Sequence, residues 1–188
     1  WPYELDTFED FSGTFPVSSI QTNLIPHGNP EIRTIGDRDA LFLDNQDYLA
    51  LNASMTQLGG SNPNGFTIAA WIYLSPSNAE QIIMSMDRSA YWRFAVTDDN
   101  YLYWCTNVNT EIHDMKGTVH IPDQTWTFVA ATYDPNTQEK ALYVNGVQDS
   151  VLTAHGGQVI QESNEEHTRY AFIGVGSEAA TFDGTIGP

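Results

Sequence analysis

Residues 125–149 read TWTFVAATYDPNTQEKALYVNGVQD. The opening TWTFVAATYD (125–134) is rich in β-branched and aromatic residues and apolar on both faces, as in a strand packed from two sides. DPNTQ (134–138) gathers residues that favour tight reversals. KALYVNGVQD (140–149) then carries Asn145-Gly146 inside an apolar run. That dipeptide suits a type I′ hairpin, because both central positions take positive φ. Two reversals in so short a span give antiparallel neighbours, so this stretch predicts a meander.

The same grammar extends in both directions. FTIAAWIYL (66–74) is dense in β-formers on both faces and predicts a buried central strand. EQIIMSM (80–86), YWRFAV (91–96) and YLYWCT (101–106) follow at near-regular spacing, with Asp98, Asp99 and Asn100 as the turn between the last two. ALFLDNQDYLALN (40–52) predicts two half-strands around an Asp-Asn turn, and YAFIGVG (170–176) and TFDGTIG (181–187) close the chain. Residues 1–36 carry Pro16, Pro26 and Pro30 with Gly13, Gly28 and Gly36 and read as an irregular lead-in, and residues 153–168 read as a long polar loop. No stretch keeps a helical apolar period over three turns. The expected fold is an all-β antiparallel sandwich or jelly roll, built as a single domain over 1–188.

Charge narrows the function. The 188 residues hold 7 Lys and Arg against 24 Asp and Glu, a formal net charge of −17. Nucleic-acid backbones and anionic membranes both need clustered cations, so neither is an expected partner. No run of about 18 apolar residues exists to insert into a membrane. The single cysteine, Cys105, permits no intramolecular disulfide and reads as a buried thiol among bulky strand residues. The five histidines show no metal-ligand spacing.

Two constellations point to ligands. Asp87-Arg88-Ser89-Ala90-Tyr91-Trp92 is a polar-aromatic turn entering a strand. Sugars are recognised by ring faces beside carboxylates and amides, because their C–H faces are apolar and their hydroxyls need acceptors. Asp87, Arg88, Tyr91 and Trp104, with Tyr101, Tyr103, Asp98 and Asp99 nearby in sequence, form the expected glycan platform. Alternation places Trp92 and Phe94 on one face and Tyr91 and Arg93 on the other, so one set is core. Trp71, Trp126, Phe66 and Phe128 read most simply as core. Asp44, Asn45 and Asp47 crowd one turn and, with Asp183, supply the oxygen ligands that calcium prefers. Glu4, Asp6 and Glu9 have the Glu-x-Asp-x-x-Glu spacing of a retaining glucanase strand, but the hexapeptide is terminal rather than central, so it reads as a solvated acidic edge.

From residue 40 onward the chain resembles a laminin G-like domain of the concanavalin A-like superfamily, close to its pentraxin-like branch. FTIAAWIYL, the run TWTFVAATYD…ALYVNG, and the closing AFIGVG and FDGTIG appear in the family's order, and FEDFSG resembles the lead-in of bacterial members. The resemblance implies a jelly-roll sandwich of the laminin G-like type. It implies calcium ligands at Asp87 and Glu178 in the pentraxin manner, although Gly176 and Ser177 stand where pentraxins carry an acid and an amide. It also implies one further strand after FDGTIG, so the sheet is expected to be completed by a downstream segment or a second chain. The expected function is a secreted or cell-surface, non-catalytic recognition module within a larger adhesin or modular protein. Such a module binds a glycan or a surface protein with calcium assistance. The alternatives are a glucanase-type hydrolase using Glu4 and Glu9, and a spacer without ligand.

Overall fold

The structure, a computed structural model, describes residues 24–44, 47–51, 65–86, 92–108, 111–153 and 171–175. All regular structure among them is strand: β1 (Leu24–His27), β2 (Glu31–Ile35), β3 (Arg38–Phe42), β4 (Tyr48–Leu51), β5 (Phe66–Ile72), β6 (Gln81–Met86), β7 (Trp92–Val96), β8 (Tyr101–Val108), β9 (Glu111–His120), β10 (Thr127–Asp134), β11 (Glu139–Val144), β12 (Val147–Thr153) and β13 (Ala171–Ile173). Among the described residues they form a seven-stranded sheet ordered β1-β4-β13-β6-β7-β8-β9, a four-stranded sheet ordered β12-β11-β10-β5, and the separate hairpin β2-β3. Every pairing is antiparallel. The fold is the expected β-sandwich.

The core lies between the two large sheets and follows strand alternation. Phe94, Val96, Leu102 and Trp104 from β7 and β8 meet Val129, Ala131, Leu142 and Val144 from β10 and β11. Phe66 bridges the layers, its ring 5.8 Å from Trp92, 5.7 Å from Trp104 and 6.2 Å from Tyr133. The Asn145-Gly146 turn joins Val144 to Val147 with φ of 50° and 79°, and Asn145 Oδ1 accepts the Phe128 N–H at 3.0 Å. The Asp98–Asn100 turn joins β7 to β8, with Asn100 at φ 63° and its side chain donating to Asp123 at 2.9 Å.

Several expectations are corrected. FTIAAWIYL is expected as a central strand; among the described residues β5 is the outermost strand of its sheet, paired with β10. Its inward set is Phe66, Ile68 and Ile72, which pack on the core, whereas Trp71 faces out and is 50% exposed. Part of the irregular lead-in is ordered as β1 and β2. Pro26 is accommodated because β1 is an edge strand among the described residues, and an edge strand does not need every N–H. The half-strand ALF belongs to β3 and pairs with β2 rather than with β4. EIHDMKGTVH, unassigned by its charged composition, is the ten-residue edge strand β9.

Candidate functional site

Alternation on β7 and β8 sends one set of side chains to the outer face of the seven-stranded sheet. Register places Arg93 opposite Cys105 and Ala95 opposite Tyr103, and on the far side Tyr103 opposite Lys116 and Tyr101 opposite His120. Arg93, Tyr101, Tyr103 and Lys116 therefore share that face. Their charges are locally matched. The Arg93 guanidinium meets Glu80 at 3.4 Å and stands 5.6 Å from the Tyr103 ring centroid. Lys116 Nζ donates to both Asp99 oxygens, at 2.8 and 2.7 Å, and stands 4.9 Å from the Tyr101 ring. The Lys116 bond, reinforced by the Thr97 hydroxyl at 2.6 Å, holds the Asp99 carboxyl below its usual range.

Where β6 begins and β7 ends, this face runs into an open cleft of about 270 Å³ lined by Asn78, Ala79, Glu80, Thr97 and Asp98. Glu80 links the two, contributing one wall of the cleft and the partner of Arg93. The lining is chemically specific. Carboxylates only accept hydrogen bonds, an amide both donates and accepts, and a hydroxyl adapts to either. That inventory matches a polyol, whose hydroxyls donate to carboxylates and accept from an amide.

The residues expected from the sequence divide three ways. Asp98, Asp99, Tyr101 and Tyr103 are brought to one end and one face of the sheet. Trp104 is not part of any platform. It is fully buried, with Phe94 edge-on at 6.0 Å, because its parity on β8 is inward. Asp87, Arg88, Tyr91, Glu178 and Asp183, like Glu4 and Glu9, lie outside the described residues. Asn78, Glu80 and Thr97 were not anticipated. The sequence signal for Asn78 and Glu80 was the polar loop SPSNAE ahead of β6, and Thr97 directly precedes the Asp98–Asn100 turn.

Of the residues expected to hold calcium, Asp44 and Asp47 lie among the described ones. Asp47 turns both carboxylate oxygens to backbone amides, of Asn29 at 2.7 Å and Asp44 at 3.3 Å, and so closes its own turn. Asp44 is exposed beside it. Among the described residues no three His, Cys, Asp or Glu side chains gather closely enough to hold a metal ion.

A sequence family described as the Concanavalin A-like lectin/glucanases superfamily matches residues 43–187. Comparison with curated protein sequences returns no significant relative. Among solved structures, the receptor binding domain of botulinum neurotoxin C/D mosaic serotype aligns with a TM-score of 0.59 at 14% identity, over 84% of this chain and 43% of that one. A structure of botulinum neurotoxin type C aligns at 0.57 and 12% identity, over 83% and 42%. The CBM40 of the Ruminococcus gnavus IT-sialidase, bound to α2,3-sialyllactose, aligns at 0.49 and 16% identity, over 59% and 63%. The chain thus spans less than two thirds of each of these structures. At such identities the likeness is one of fold.

Proposed function

The chain belongs to the Concanavalin A-like lectin/glucanases superfamily, and from that premise we propose that it is a non-catalytic glycan-binding module whose cleft takes a neutral sugar. The observation that carries this reading is the cleft of Asn78, Glu80, Thr97 and Asp98, opening beside a sheet face that bears Tyr101 and Tyr103. With Glu80 matched by Arg93, the Asp98 carboxylate in the cleft and the net charge of −17 disfavour an anion. Hydrogen bonds from sugar hydroxyls to carboxylates are the strong kind, about 1.5–3 kcal/mol each. A sugar ring lying against a tyrosine adds contact through its apolar face. The shared fold gives context: botulinum neurotoxin type C depends upon interaction with two ganglioside molecules to reach the interior of cells.

A glycan array tests the proposal. Wild type should bind a subset of neutral glycans, and Asp98→Asn and Tyr103→Ala should each weaken that binding about tenfold. Incubation with laminarin, lichenan, agar or carrageenan should release no reducing ends. An array without hits, or hits indifferent to both substitutions, contradicts the proposal. Hydrolysis abolished by Glu4→Gln or Glu9→Gln would assign the glucanase role instead.

A further inference from the structure

The outer face of the four-stranded sheet, on the opposite side of the sandwich from the cleft, carries a second and different set of side chains. Trp71 and Tyr73 come from β5 and the residue after it, and Trp126 and Phe128 from β10 and the residue before it. Their rings form two pairs, Trp71–Phe128 and Tyr73–Trp126, each with centroids 5.5 Å apart. The pairs are one i,i+2 step apart, about 6.7 Å along the strands. Trp71 is 50% exposed, although it is among the largest apolar side chains in the chain.

The tip of the β2-β3 hairpin sits on this face. Trp126 Nε1 donates to the Ile35 carbonyl at 3.2 Å. The Arg38 guanidinium carbon lies 4.1 Å from the Trp71 ring centroid and 5.7 Å from that of Trp126. Stacking occupies the flat side of a guanidinium and leaves its N–H edge open. Arg33, Arg93 and Lys116 each meet a carboxylate, and Lys140 is enclosed by carbonyls. Arg38 is exposed, and among the described residues no carboxylate pairs with it. In a chain with 24 acids and 7 bases, an arginine kept out of ion pairs is a conspicuous cation.

The geometry points to a second glycan site on this face, selective for a sugar that carries a single carboxylate. The exposed part of Trp71 and the Phe128 ring receive the apolar face of the sugar. The free edge of Arg38 takes its carboxylate in the bidentate geometry that guanidinium and carboxylate share. A second acidic sugar would meet the field of the −17 chain with no further cation among the described residues of this face, so polyanions are disfavoured. The occupant is thus a largely neutral oligosaccharide with one acidic residue, which the acidic cleft on the other face would reject.

Titration calorimetry with an aldotriuronic acid, its methyl ester and polygalacturonate tests this on wild type, Arg38→Gln, Arg38→Lys, Trp71→Ala and the cleft variant Asp98→Asn. The free acid should bind wild type about tenfold more tightly than the ester or the polymer. Arg38→Gln should erase that preference, Arg38→Lys should restore only part of it, Trp71→Ala should abolish binding, and Asp98→Asn should leave it unchanged. Equal binding of acid and ester, insensitivity to Arg38→Gln, or loss in Asp98→Asn would overturn the assignment. So would a dimer in sedimentation that dissociates on Trp71→Ala, which would make a second copy the occupant. The cleft proposal survives any of these results except loss of the acid in Asp98→Asn.

Discussion

Lys140 is the residue whose placement departs furthest from its chemistry. It occupies an inward position of β11 between Tyr133 and Leu152 in register, is fully buried, and reaches the opposite sheet. There its Nζ donates to the Trp104 carbonyl at 2.8 Å, to the Thr106 hydroxyl at 3.3 Å and to the His113 carbonyl. Burial lowers its pKa from 10.5 to about 8, against the opposing pull of Cys105 and Asp114. Below pH 8 both native and unfolded chains carry the proton, so the full penalty of burying the ammonium is present. Between pH 8 and 10.5 the unfolded chain holds more protons than the native one, so stability rises with pH. The gap corresponds to roughly 3 kcal/mol. Urea titrations at pH 7, 8.5 and 10 should therefore show wild type gaining on Lys140→Met by up to that amount. A difference independent of pH contradicts this. Tyr48, raised by burial, lies on the other sheet and is common to both proteins, whereas Tyr133, raised by burial and by Asp134, stands opposite Lys140, so the comparison is made in a Tyr133→Phe background. Parity is what the sequence leaves undecided at this scale. YLYWCT has β-formers at every position, so alternation says that Tyr103 and Trp104 face opposite ways but not which is buried. The pairing of Phe94 with Trp104 settles it, and FTIAAWIYL hid the outward face of Trp71 for the same reason.

At the scale of elements, β9 and β12 are the edge strands of opposite sheets among the described residues, and Asp149 ties them together. Its Oδ1 accepts the backbone N–H groups of Thr118 at 2.8 Å and Val119 at 3.0 Å, and the Thr118 hydroxyl at 2.7 Å. Gly117 makes this approach possible, since a Cβ there would lie 2.2 Å from Asp149 Oδ2. Asp149→Ala should lower stability by about 2 kcal/mol, or roughly 4–8 °C in Tm, and speed amide exchange at Thr118 and Val119. Gly117→Ala should cost a similar amount, and the double variant should lose clearly less than the two single losses added, because both remove one anchor. Additive losses would refute the anchor. This dependence explains why β9 escaped notice. With Glu111, Asp114, Lys116 and Gly117 it has little strand propensity, and it is ordered by β8 beside it and Asp149 across from it. The segments that were legible are those whose turns announce themselves, such as Asn145-Gly146 and Asp98–Asn100.

For the whole molecule the governing quantity is the charge of −17. Self-repulsion among acidic residues opposes compaction, and salt screens it over a Debye length of about 8–10 Å at moderate ionic strength. Melting temperature should therefore rise as sodium chloride goes from 10 to 300 mM (about 30 to 6 Å of screening). A fall would mean that the Glu80–Arg93 and Asp99–Lys116 pairs outweigh the repulsion. The sandwich itself was readable from period and turns, whereas the cleft was only half readable. Asp98 and Asp99 stood out beside their tyrosines, but Asn78 and Glu80 reach them through a sheet pairing that no local pattern encodes. The most direct test of the central claim is chemical-shift mapping of the ¹⁵N-labelled protein with the strongest neutral glycan from the array. The account predicts saturable shifts concentrated at residues 78–81, 93–99 and 101–103. Shifts confined to other surfaces, or none at millimolar sugar, would contradict it.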